Sequence, residues 1–216
     1  MSEHRSIPQS ASLTAPFAQR GLVLGITGGT GCGKTTLLNV IRDHGGLVLD
    51  CDAIYHQLLT TDPALLASIE ARFPGTVENG TLQRKKLGTI VFNDPAALQD
   101  LNAITHSAIK AEVRRRLETA PALAAIDAIA LFESGLAQLC DTTVAISSPT
   151  AARIARLMVR DEISEEYAKN RIAAQHDDSW FRQHCEHVLE NNGTQMHFQQ
   201  KCVAFLREIG IIEAEM

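Results

Sequence analysis

The patterned part of the chain begins with an unbroken apolar run, residues 22–26 (L-V-L-G-I), which reads as a buried strand of a parallel sheet. After a glycine-rich turn, Leu37, Leu38, Val40 and Ile41 recur at helical spacing, and Gly45-Gly46 ends that helix. Leu47-Val48-Leu49 makes a second short strand. Strand, loop, helix and strand in that order start a parallel α/β sheet. The stretch 53–120 then reads as a helical insertion. It holds a helix from Ala53, another over 64–73 broken by Pro74-Gly75, a hairpin turn at Asn79-Gly80, and helices over 84–92 and 95–117. Residues 124–132 return as a central strand, interrupted by Asp127 and presenting Glu133 at its carboxyl end. Val144-Ala145-Ile146 and His187-Val188-Leu189 complete the strands. Between them Thr150 opens one helix and Ser164 caps another, and a closing helix spans 194–207.

The pattern predicts one domain over 21–210, with a helical lid over about 153–178. Residues 1–20, polar and rich in Ser and Ala, read as a flexible extension, and 211–216 as a tail. The 216 residues are 45% hydrophobic and 21% charged, ordinary values for a soluble globular chain. A net charge of -5 argues against broad nucleic-acid binding, and no apolar run reaches the length of a membrane span. The first twenty residues also lack the apolar centre of a secretory signal. Five scattered cysteines without a CxxC pair, and histidines without HxxxH or HExxH spacing, predict reduced thiols in a cytoplasm and no structural metal.

The chemistry concentrates at Gly28 to Thr35, which fits G-x-x-x-x-G-K-[ST] between a strand and a helix. Glycines here let backbone N–H groups wrap phosphates, and the following helix aims its positive dipole end at them. Lys34 is placed to reach the β- and γ-phosphates of ATP, and the Thr35 hydroxyl to ligate Mg²⁺. Gly29, Thr30, Gly31, Cys32, Gly33 and Thr36 complete the expected nucleotide-binding stretch. Asp50 and Asp52 follow the second strand, where open parallel sheets place ligands. On position alone each is equally a helix N-cap. Arg153, Arg156 and Arg160 share one helical stripe, with Arg171 and Gln175 on the next helix. They suit either a lid that clamps ATP oxygens or salt bridges to Asp161, Glu162, Glu165 and Glu166. Arg114-Arg115-Arg116 reads as a solvated face. Cys32, beside a helix N-terminus, is a candidate redox-sensitive thiol, the plainer reading being a small residue tolerated in the loop. No guanine-reading N-K-x-D is present, and the small size with an arginine lid points to a small-molecule kinase.

From Gly21 to Gly210 the chain resembles the dephospho-coenzyme A kinases. The matching segments include G-I-T-G-G-T-G-C-G-K-T-T, L-D-C-D-A-I-Y-H-Q-L-L, L-Q-R-K-K-L-G-T-I-V-F-N-D-P, L-F-E-S-G-L and R-L-M-V-R-D-E-I-S-E-E-Y-A-K-N-R-I-A-A-Q. The resemblance implies a three-layer α/β P-loop kinase fold with a helical substrate-binding insertion. It implies ATP and Mg²⁺ as cofactors and dephospho-coenzyme A as the small-molecule partner. It makes Asp52 the base that takes the ribose 3′-hydroxyl proton, and Arg160 the lid arginine on the transferring phosphoryl group. It places Thr27, His56, Arg84, His106 and Glu133 toward the acceptor, and Asn191 and Gly193 near the adenine. Four positions depart from the family pattern: Ile129 replaces a proline, Ser107 follows His106, Gln83 precedes Arg84, and Cys32 stands where serine is common. A kinase for another nucleoside or nucleotide, and a non-catalytic ATP-binding regulator, are the competing readings.

Overall fold

The computed structural model describes residues 21–212, so the predicted extension over 1–20 and the last residues of the tail lie outside the described residues. Five parallel strands form the main sheet: β1 (Leu22–Thr27), β2 (Leu47–Asp50), β5 (Leu123–Asp127), β6 (Thr142–Ser147) and β7 (His187–Glu190), in the spatial order β2-β5-β1-β6-β7. The central strand β1 is buried along its whole length, which explains its lack of polar alternation. Its Leu22, Leu24 and Ile26 face helices α1 (Lys34–Asp43) and α9 (Gln195–Glu208), where Leu37, Ile41, Phe198 and Leu206 meet them. Val23, with Ala124 and Ile126 of β5, faces the opposite layer. Leu24 and Ile26 are fully buried, so truncating either to Ala costs roughly 2–5 kcal/mol in lost transfer energy and residual cavity.

That opposite layer is the insertion between β2 and β5: α2 (Cys51–Thr61), α3 (Pro63–Arg72), α4 (Arg84–Val91) and the long α5 (Pro95–Leu117). Asp62 and Asp94 each accept two backbone N–H groups ahead of a proline at the first helical position, which sets where α3 and α5 begin. The Asn79-Gly80 turn joins β3 (Val77–Glu78) to β4 (Thr81–Leu82), with both turn residues at positive φ. Beyond β6 come α6 (Thr150–Asp161), α7 (Glu165–Ala173), which Ser164 caps, and α8 (Asp178–His184). No helix among the described residues is long and apolar enough to cross a membrane.

One boundary differs from the sequence expectation. The run 124–132 is not one strand: β5 ends at Asp127, and residues 129–135 turn away from the sheet. The apolar Leu131 is fully buried beneath the sheet, so its hydrophobicity serves packing and not strand continuation. Asp127, not Glu133, therefore stands at the carboxyl end of the strand.

Candidate active site

The loop between β1 and α1 is held with its carbonyls outward. Arg153 Nε donates to the Thr30 carbonyl at 2.9 Å, Arg156 Nη1 to those of Gly31 (3.0 Å) and Cys32 (3.3 Å), and Asn191 Nδ2 to Cys32 as well (2.9 Å). Three successive peptide oxygens engaged on the outside leave the inner surface of the loop to N–H groups and to the start of α1. Gly33 adopts φ +100°, and a side chain there would strike the Asn191 amide at 2.4 Å. No other residue type fits that position. Lys34 Nζ donates to the Gly28 carbonyl at 3.2 Å and stands 3.9 Å from Asp127 Oδ1.

Three carboxylates face this loop. Asp50 and Asp127 are register partners at the carboxyl ends of β2 and β5, and Asp52 lies in the first turn of α2. The cap-versus-chemistry question for the pair 50/52 divides between them. Asp50 Oδ1 accepts the Ala53 N–H at 3.0 Å and so caps α2, while the Asp52 side chain is left free of that duty. Asp127 is the least exposed of the three. Burial, with Asp50 and Asp52 adding like charge, pushes its carboxyl up to about 6 against the opposing pull of Lys34. Its buried Oδ1 accepts no hydrogen bond, the lysine contact being a charge contact too long for one.

Helices α6 and α7 cover the cleft with Arg160 and Arg171. Both guanidiniums are parked on Asp161. Arg160 makes a two-point contact at 2.6 and 2.9 Å, and Arg171 Nη1 one of 2.5 Å. Of the arginines in the stripe and on the next helix, Arg156, Arg160 and Arg171 line the cleft, and Arg160 and Arg171 form the salt bridges to Asp161 that the second alternative describes. At the lid's far end Gln175 Oε1 accepts the Thr30 N–H at 2.7 Å, and His176 bonds Glu133 at 2.7 Å. The cleft so enclosed measures about 760 Å³.

Of the predicted site residues, Thr30, Gly31, Cys32, Gly33, Lys34, Thr35, Asp52 and Arg160 line this cleft together. The others do not. Thr27 is fully buried, its hydroxyl given to the Ile129 carbonyl at 3.1 Å, so it fixes the cleft wall from within. Gly29 lies against Arg153, on the loop's outer side. Thr36 is on α1, half-buried, and does not line the cleft. Asn191 is buried as a brace behind the loop, and Gly193 sits beside His197 at the start of α9. His56 and Arg84 bond each other at 3.2 Å on the insertion. His106, on α5, has its basicity lowered by burial and partly restored by the charge of Glu133, whose own hydrogen-bond partner is His176. The redox expectation for Cys32 meets the opposite environment: the thiol is buried, and burial raises its pKa despite Lys34 and Arg153 nearby. Sequence reasoning passed over Asp127 as a site residue, and it read Arg153, Arg156 and Gln175 as a clamp or as salt-bridge partners where the structure has them bonded to the loop backbone. For Asp127 the signal was present, a lone carboxylate breaking an apolar run.

A phosphate-wrapping loop at the carboxyl ends of parallel strands, opposed by acids and roofed by arginines, defines a P-loop kinase built for a small acceptor. The chain matches the family described as dephospho-CoA kinase over residues 22–197. It is 33% identical over 178 residues to the dephospho-CoA kinase of Moorella thermoacetica, spanning 79% of this chain and 84% of that protein. It is also similar to a Thermus thermophilus protein of known crystal structure (TM-score 0.75, 29% identity, 88% of this chain and 98% of that one). The solved dephospho-CoA kinase of Campylobacter jejuni superposes with a TM-score of 0.63 at 27% identity, covering 87% of this chain and 96% of the other. The chain belongs to the dephospho-CoA kinase family, and it is a kinase.

Proposed function

We propose that the chain transfers the γ-phosphoryl group of ATP to the ribose 3′-hydroxyl of dephospho-coenzyme A, giving coenzyme A and ADP. The observation that carries this reading is the meeting of Lys34 and Thr35 with Asp52 and Asp127 in one cleft beneath Arg160 and Arg171. Asp52 accepts the hydroxyl proton as that oxygen bonds the γ-phosphorus, and the β–γ bridging oxygen leaves with its electron pair on ADP. Lys34 exchanges its contact with Gly28 for the phosphates, and the outward-facing loop carbonyls keep N–H donors toward them. Arg160 and Arg171 neutralise charge on the transferring group.

The donor set fits Mg²⁺. The Thr35 hydroxyl and the unbonded Asp127 oxygen line the same cleft and would be its oxygen ligands from the protein. An ion held by few protein oxygens and completed by phosphates and water is the usual state of Mg²⁺, where it screens the charge of the phosphates. The acceptor enters from the insertion side, where Tyr55, His56 and Arg84 gather, and the helical pair α6–α7 closes over it as a lid. Five cysteines without a disulfide among the described residues support a cytoplasmic setting. A coupled ADP-release assay with dephospho-coenzyme A against a panel of nucleosides and nucleotides tests the assignment. Turnover only with dephospho-coenzyme A is the expected result, and a faster nucleoside would overturn the acceptor. In the same assay Lys34→Ala is expected to lose turnover by about 10³-fold or more.

A further inference from the structure

The most unusual charge in the molecule lies outside the cleft. Arg153, in the first turn of α6, is 8% exposed, and among the described residues no carboxylate comes within ion-pair distance of it. Asp178, itself bonded to Ser147 and Arg182, is the acid whose field reaches it. Its Nε is given to the Thr30 carbonyl, while its buried Nη2 meets no acceptor at all. The guanidinium lies flat on the back of the phosphate loop: a Cβ placed on Gly29 would fall 2.2 Å from Nη2 and 2.7 Å from Cζ. Gly29 does not have positive φ, so the missing side chain answers to the arginine and not to backbone strain. A buried cation without a counter-ion is costly, and a side chain that holds one peptide oxygen could do so without charge.

We propose that Arg153 is a positioning residue for the phosphoryl donor. It fixes the Thr30 peptide with its oxygen outward, against Gly29, and its charge is complemented, through the thickness of the loop, by the phosphates bound on the other side. This rests on the kinase reading above and extends it to a residue that never touches substrate. Two consequences distinguish it from a packing role. The benefit of Arg153 grows with the charge of the bound nucleotide, so ATP gains more than ADP, and the acceptor gains nothing. Gly29 and Arg153 are also coupled, because each occupies what the other leaves open.

Calorimetric binding of Mg·ATP, Mg·ADP and dephospho-coenzyme A to the full chain tests both, alongside thermal melts. Arg153→Met is expected to weaken Mg·ATP about 30-fold and Mg·ADP several-fold less, leaving acceptor binding within about twofold. Arg153→Lys, which keeps the charge without the fork, is expected to recover about a third to half of that loss on a logarithmic scale. Gly29→Ala in the wild-type background is expected to weaken Mg·ATP by about tenfold or more, but by no more than about twofold on top of Arg153→Ala. A folded Arg153→Met chain that binds all three ligands as wild type does would overturn the proposal. So would equal penalties for Gly29→Ala in both backgrounds, a comparison that survives if Arg153→Met does not fold. A wild-type chain that fails to bind Mg·ATP overturns the kinase reading itself, and this proposal with it.

Discussion

The two halves of the cleft are built on opposite principles. On the donor side the loop is clasped by buried groups: Thr30, Arg153 and Asn191 are each less than 9% exposed, and the Arg153 and Asn191 side chains both donate to backbone oxygen. On the lid side the arginine side chains are 60% and 39% exposed and are held only by Asp161. Buried hydrogen bonds to fixed peptide groups are preorganised, since they need no rearrangement when the ligand arrives. Exposed ion pairs contribute little and exchange readily, which suits the role proposed for these arginines, to leave Asp161 for the phosphates. One half is a mould, the other a set of charges waiting to be redirected.

The largest test of this contrast lies between the halves, at Asp52. Asp52→Asn keeps the size and polarity of the side chain and removes the base. Turnover is expected to fall about 10³-fold while Mg·ATP affinity stays within about threefold, because the loop does not depend on this group. Steady-state kinetics with equilibrium ATP binding checks it, and near-normal kcat would mean another group takes the proton.

A smaller effect is expected from Asp127, where the donor side's burial has an electrostatic cost. The folded carboxyl is raised to about 6 from an ordinary value of 3.8, so the folded chain binds a proton that the unfolded chain has already released. Stability from this group is thus complete below about pH 4 and is lost as pH rises through about 6, by roughly 2–3 kcal/mol. In metal-free solution without nucleotide, Asp127→Asn is expected to remove that decline and to be the more stable protein at pH 7. Urea unfolding at pH 4.5 and 7 measures the difference between the two chains, which cancels the contribution of all other acids. Equal slopes would show that Asp127 is better solvated than its burial implies.

The brace behind the loop comes next. Asn191→Ala removes one of two donors to the Cys32 carbonyl, leaving only the longer contact from Arg156. The expected loss is about 1–2 kcal/mol, a fall of several degrees in Tm, with KM for ATP raised and KM for the acceptor unchanged. A fall in acceptor affinity instead would place Asn191 outside the donor half.

How much of this was legible in the chain follows the same division. The loop announced itself because its chemistry is local: glycines, Lys34 and Thr35 are contiguous, and the flanking apolar runs fix strand and helix. Capping was equally local, so Ser164 could be read from its neighbours alone. Asp127 was harder. Its run continues apolar through Leu131, and period alone cannot tell a buried strand from a buried turn that follows it. The braces Arg153, Arg156 and Asn191 were least legible, because they act on carbonyls more than 120 residues away, and spacing along α6 shows only that two of them share a stripe. The same stripe carries Arg160 into the cleft, and only the tertiary packing of α6 on the loop separates the arginines that hold its backbone from the one bonded to Asp161.

The smallest expected effect isolates that last distinction. Asp161 draws both lid arginines onto itself, and their hydrogen bonds hold its carboxyl down to about 2. A bound triphosphate competes for the same guanidiniums, so Asp161→Asn should make them available at no cost in buried contacts. KM for ATP is expected to fall by about two- to threefold at low ionic strength, the scale of a solvent-exposed pair. The change should fade by about 0.5 M salt, where exposed charges are screened, whereas the Asn191 effect should persist because its bonds are neutral and buried. A rise in KM of tenfold or more at Asp161 would reverse the picture of the lid: its carboxylate would then be aiming the arginines, and that half of the cleft would be as preorganised as the loop it covers.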